Sequence, residues 1–210
     1  LIRTIEPDAK AVVQVYLPGN YGGDALADIL AGDVNPSGKL PYTYPKFEQS
    51  LITYDHKPSQ NLAEKMSGAY DYGARTDVQY PFGFGLSYTT FEYSNLTVDK
   101  NEFLPGDVLT VSVDVKNTGK VAGKESVMLF SSDLVASITP DVRRLRAFRK
   151  MNLQPGEQKT VTLKIAADDL AFVNPEGKWT LEEGDFRFQI GNLTDKVTCT
   201  QTKIWDSPNK

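Results

Sequence analysis

Chemistry-bearing residues are scarce in this chain, and each scarcity closes a door. The only cysteine, Cys199, excludes an intrachain disulfide and any cysteine-rich metal site. The only histidine, His56, excludes a histidine-cluster metal site and leaves a Ser-His-Asp arrangement with no second candidate base. No apolar run approaches the roughly 20 residues that a bilayer-spanning helix needs. A net charge of -4 and a pI near 5.1 exclude the basic footprint of a nucleic-acid binder. The densest basic stretch, RRLRAFRK from Arg143 to Lys150, is interleaved with Leu, Ala and Phe and reads as a strand at a sheet edge. The opening residues, LIRTIEPDAKAVV, show no Met, basic n-region or apolar h-region, so they read as a chain cut from something longer.

What is present is ordinary for a globular protein. Hydrophobic residues make up 40% and charged residues 24% of 210 positions, enough for one large domain or two small ones.

The pattern changes twice along the chain. Residues 11–17, AVVQVYL, form a continuous apolar run suited to a buried strand, followed by the turn PGNYGG. Asp24 is then placed to cap a short helix over ALADIL, and Gly32 to stop it. This strand, turn and helix occur once, whereas an α/β sheet needs several such units, so residues 1–45 read as the end of an α/β domain. Residues 46–79 are polar and hold neither helical nor strand period; with the aromatic stretch after them they form a linker over 46–90, of a length that is usually functional or flexible.

From residue 91 the period becomes two. Leu109, Val111, Val113 and Val115 alternate with polar residues, as do Val161, Leu163 and Ile165, and Phe186, Phe188 and Ile190. Turn signals at LPGD, NTGKVAG, QPGE, NPEGK and EEGD divide the region into seven or eight strands. The pattern predicts an antiparallel β-sandwich of immunoglobulin or fibronectin type III kind over residues 91–205.

Few residues suggest chemistry. PGNYGGD resembles a phosphate-cradling turn, but it lacks the Lys-Ser/Thr pair of a P-loop and reads as structural. His56, between Asp55 and Lys57, reads as a hydrogen-bonded loop residue. Asp168, Asp169, Glu182, Glu183 and Asp185 fall in sandwich turns, where solvated carboxylates are the default. Asn95 and Asn192 each begin an Asn-Leu-Thr triplet, which matters only in a eukaryotic secretory pathway.

The stretch YPFGFGLSYTTFEYS, Tyr80 to Ser94, concentrates aromatic rings where linker meets sandwich. Gly83 and Gly85 would let the backbone pass close to a neighbouring surface while Tyr80, Phe82, Phe84, Tyr88 and Phe91 bury their rings there, forming an interdomain seam. The alternative is a sugar-stacking platform using exposed tyrosines such as Tyr70, Tyr72 and Tyr80.

The succession PGNYGGDALADILAGDVNPSGKLPYTYP (18–45), YDHKPS (54–59), YPFGFGLSYTTFEYS, VKNTGKVAGKESVMLF and LQPGEQKTVTLKI resembles the C-terminal part of glycoside hydrolase family 3, the β-glucosidases and β-xylosidases. The resemblance spans nearly the whole chain. It implies a parent with a TIM-like barrel carrying an aspartate nucleophile, an α/β-sandwich domain supplying a glutamate acid/base, and a fibronectin type III-like domain. Both catalytic carboxylates would lie upstream of the matching segment, so no residue here inherits a catalytic role, and no cofactor or metal is implied. The implied partners are the upstream catalytic domains and, through them, a β-linked oligosaccharide, with no nucleic acid or membrane. A periplasmic or secreted location follows from the family's habit alone, and a stand-alone carbohydrate- or protein-binding sandwich is the alternative.

Overall fold

A computed structural model describes residues 1–48, 52–58 and 77–206. It is mainly β, with a sandwich preceded by a mostly irregular arm. No helix among the described residues is long and apolar enough to cross a membrane.

The arm starts with a single 3-10 turn, Glu6–Asp8, and reaches helix α1, Gly22–Ala31. The helix begins before Asp24, which lies in its first turn rather than at the cap; Tyr21 is the N-cap and makes no side-chain cap bond. It ends at Gly32 with φ 89°, the left-handed conformation that suits glycine. The apolar run 11–17 forms no strand, and every residue from 11 to 20 is exposed. A buried strand holds its shape only between neighbours, and none of the described strands pairs with this one. The arm then forms β1, Tyr44–Pro45, which pairs antiparallel with β2, Val78–Tyr80, Tyr44 standing opposite Tyr80. This clasp joins the two ends of the linker.

The sandwich follows from the period-two text. Its long strands are β3 (Phe91–Val98), β5 (Val108–Asn117), β6 (Gly123–Asp133), β7 (Arg144–Leu153), β8 (Gln158–Ala166), β11 (Gly184–Ile190) and β12 (Leu193–Cys199). Short strands add to them: β4 (Glu102–Phe103), β9 (Phe172–Val173), β10 (Trp179–Leu181) and β13 (Lys203–Trp205). One sheet has the order β4-β12-β11-β6-β7, the facing sheet β3-β5-β8, and β13-β10-β9 form a small third sheet. Strand β7, the basic stretch, lies at a sheet edge, where Arg and Lys discourage pairing with other chains.

Alternation makes the core. Val111, Val113 and Val115 of β5 face Val127 and Leu129 of β6 and Phe188 of β11, all at 0% exposure. Asn117, also fully buried, is the exception that organises a turn. Its Nδ2 donates to the carbonyls of Val121 (2.9 Å) and Leu153 (3.0 Å), and its Oδ1 accepts from Thr89 Oγ1 (2.6 Å) and Gly119 N (3.0 Å). All its polar capacity is used, which is what lets an amide sit in an apolar core. Cys199 is likewise buried, and burial pushes its thiol above the ordinary range.

Candidate functional site: an aromatic junction

The structure splits the seam residues into groups with different neighbours. Tyr80 lies on β2 and stacks on Phe84 at 4.9 Å between centroids, with Tyr44 edge-on at 6.0 Å. Its hydroxyl is pushed up by burial and by a hydrogen bond with Glu6, which ties the start of the arm to the seam. Phe82 points the other way. It stacks on Tyr54 at 4.3 Å and meets Phe130 of β6 edge-on at 6.2 Å. The Arg143 guanidinium covers the Phe130 ring at 4.6 Å. Such ring pairs contribute about 0.5–1.5 kcal/mol each beyond their buried area. Tyr88 donates its hydroxyl to the carbonyl of Ile29 in α1 at 2.7 Å. Phe91 belongs to β3 and packs against the sandwich core rather than with the other rings.

Polar residues complete the junction. Asn35 Nδ2 donates to the carbonyl of Ala122 (2.9 Å), while its Oδ1 accepts from Ser87 Oγ (2.9 Å) and the backbone N of Tyr88 (2.8 Å). One side chain from the arm thus holds both the seam and the sandwich turn. Lys39 Nζ donates to the carbonyl of Gly85 (2.8 Å) and pairs with Glu125 (3.3 Å), whose carboxylate accepts from the Tyr93 hydroxyl (2.9 Å). Lys150 of the edge strand reaches the carbonyl of Ser37 at 2.9 Å. These contacts need two glycines: a Cβ on Gly85 would collide with the carbonyl of Gly38, and one on Gly123 would press against Thr89, Asn35 and Phe91.

Part of the linker is pinned to the sandwich. The His56 carbonyl accepts from the backbone N of Val142 (2.9 Å), and Lys57 pairs with Asp141 (2.6 Å). Burial would raise Asp141, but hydrogen bonds from Lys57 and Arg144 hold it below the usual carboxylate range. His56 Nδ1 lies 2.7 Å from the carbonyl of Thr53, a loop role. Tyr70 and Tyr72, the proposed glycan-facing rings, lie outside the described residues. Tyr80 is half-buried with its faces committed to Phe84 and Tyr44.

Three of the acidic turn residues, Asp168, Asp185 and Glu182, are engaged in structural contacts. Asp168 accepts from Gly106 N and pairs with Lys203 at 2.6 Å. Asp185 accepts from Thr198 Oγ1 and Lys196 Nζ, which together hold it below its ordinary pKa. Glu182 accepts from the backbone N of Ser137 at 2.8 Å. Among the described residues no group of three His, Cys, Asp or Glu is placed to hold a metal. Asn35, Lys39, Tyr54 and Phe130 had no distinguishing signal in the sequence, because each is defined by a contact far along the chain.

Known proteins share this arrangement. The family model of the glycosyl hydrolase family 3 C-terminal domain matches residues 1–88, and that of a fibronectin type III-like domain matches residues 125–194. A thermostable β-glucosidase B of Acetivibrio thermocellus is 41% identical over 200 residues, 92% of this chain and 26% of that protein. A lysosomal β-glucosidase of Dictyostelium discoideum is 40% identical, covering 90% of this chain and 24% of its own length. For a periplasmic β-glucosidase of Salmonella typhimurium the figures are 37%, 89% and 25%. The crystal structure of a Listeria innocua β-glucosidase with glucose superposes with a TM-score of 0.85 at 29% identity, covering 94% of this chain and 29% of that one. The chain therefore spans about a quarter of the length of these relatives. With both its arm and its sandwich matched, the chain belongs to glycoside hydrolase family 3 and corresponds to a C-terminal portion of its members.

Proposed function

We propose that this chain is the non-catalytic C-terminal part of a β-glycosidase that hydrolyses terminal β-linked glucosides, and that it stabilises the catalytic domains upstream. The observation that carries this reading is the contrast between a closed sandwich core and an arm whose apolar run is exposed from residue 11 to 20, with Leu17 at 98%. Such a surface suits a neighbouring sheet, and the upstream domain is its natural occupant. The aromatic junction then acts as the brace, fixing the sandwich to the arm and through it to the catalytic domains. A retaining glycosidase needs a nucleophile and an acid/base about 5 Å apart. The turn carboxylates Asp168, Glu182 and Asp185 are engaged in backbone hydrogen bonds and ion pairs instead. The compartments named for the Salmonella and Dictyostelium relatives support a secreted or periplasmic protein.

The test compares hydrolysis of nitrophenyl β-glucoside and β-xyloside by the purified chain and by the full-length protein. Silence in the chain beside activity in the long form is the expected result. Turnover by the chain alone would overturn the non-catalytic assignment.

A further inference from the structure

A cleft beside the pinned part of the linker lies between the β6–β7 connection and the small third sheet, with a volume of ≈ 300 Å³. Its polar wall carries Arg146, Asp133 and the Lys57–Asp141–Arg144 cluster, and its apolar wall carries Trp179, Phe172 and Ile138. The size is at the small end of ligand sites, enough for one ring.

The chemistry of the polar wall is asymmetric. Asp141 is consumed by Lys57 and Arg144. Arg146 is different: it is half-buried, and among the described residues it makes no ion pair. It donates Nε to Ser131 Oγ (2.7 Å) and Nη1 to the carbonyl of Asp169. A guanidinium has five N–H donors, so three remain for whatever enters the cleft. Burial lowers its pKa, the mark of a cation short of solvent. Because the two protein bonds fix its plane, the free donors are preorganised for a planar acceptor such as a carboxylate.

Asp133 supplies the second requirement. One of its oxygens accepts from the backbone N of Val135 (3.2 Å), and burial, reinforced by Glu182, raises its pKa to about 6. A half-buried carboxyl of this kind is satisfied by ligand hydroxyls. A flat aromatic acid would give it no donor, and a neutral sugar would leave the Arg146 donors to a poorer acceptor. Trp179 adds an apolar face of the type on which sugar rings stack.

We propose that this cleft binds a carboxylated sugar of hexuronate size, its carboxylate on Arg146, its ring against Trp179 and its hydroxyls donating to Asp133.

Calorimetric titration of the purified chain, which lacks the upstream domains and their glucose site, with sodium D-glucuronate at fixed ionic strength tests this, with D-glucose and benzoate as comparators. A dissociation constant of about 1 mM is expected for a ligand of this size, with both comparators at least about fivefold weaker. Arg146→Gln removes the binding. Because that change also disturbs the bonds to Ser131 and Asp169, Ile138→Glu and Ile138→Lys serve as a second pair. The first places a repelling charge at the cleft and weakens glucuronate by about fivefold or more, while the second preserves or tightens it. Equal affinity for benzoate or glucose overturns the proposal. So does a glucuronate signal that ignores the Ile138 and Arg146 changes, since that binding belongs elsewhere.

Discussion

The arm and the sandwich carry apolar residues in similar measure but use them differently. In the sandwich, period-two alternation turns every second side chain inward, and Val111, Val113, Val127, Leu129 and Phe188 lose all contact with water. In the arm, Val12, Val13, Val15 and Leu17 stay exposed although they form an equally apolar run. The difference lies in who completes the fold. An antiparallel sandwich closes with its own strands, whereas a strand meant for burial on both faces needs neighbours on both sides. The junction between them is intermediate, held by a few rings and by long-range hydrogen bonds from Asn35 and Lys39.

Substitutions that separate the two regions test this contrast. The largest effect belongs in the core: Phe188→Ala removes a fully buried ring and costs about 4 kcal/mol, lowering the melting temperature of the whole chain. A melting curve in which the sandwich is unaffected would contradict a single closed core. Phe82→Ala comes next, at about 2 kcal/mol, because the ring is only half-buried between Tyr54 and Phe130. Hydrogen exchange reads it regionally: backbone protection around Leu40 and Phe84 drops, while β5 and β11 keep theirs. Uniform loss across both regions would show that junction and sandwich unfold as one unit.

The smallest effect is a pH dependence. The folded pKa of Asp133 is raised above the ordinary carboxylate range to about 6, chiefly by burial and further by Glu182, with the Val135 N–H and Arg146 opposing. A carboxyl raised in the folded state favours folding when protonated, so stability falls as pH climbs from about 4 to 6 and the cost is complete above that. After discounting for solvent exposure, Asp133→Asn gains about 1 kcal/mol at pH 7.5, or roughly 2–4 °C, and nearly nothing at pH 4. An equal gain at both values would mean the carboxylate charge is irrelevant. This measurement also bears on the proposed ligand cleft, because Asp133 lines it.

Legibility in the sequence follows the same divide. Strands β5, β8 and β11 were readable because alternation and the turns at LPGD, QPGE and EEGD are local signals. The helix stop at Gly32 was readable for the same reason, since a left-handed C-cap selects glycine. Its start was misplaced at Asp24, because an acidic first-turn residue looks like a cap until the backbone shows the helix already under way. The strand expected over residues 11–17 was not found, because apolarity specifies burial but not the neighbour that provides it. At the junction, the aromatic cluster was visible as composition, but its partners were not. Asn35 meets Ala122 across 87 positions, and Tyr54 reaches Leu145 across 91; nothing local marks either one.

The clasp between β1 and β2 has a mechanical consequence. By setting Tyr44 against Tyr80 in an antiparallel ladder, it gives the arm a direct route to the residues that lead into β3. A pull on the arm at Tyr44 is therefore carried across backbone hydrogen bonds to the sandwich, which makes the clasp a lever arm between the two regions.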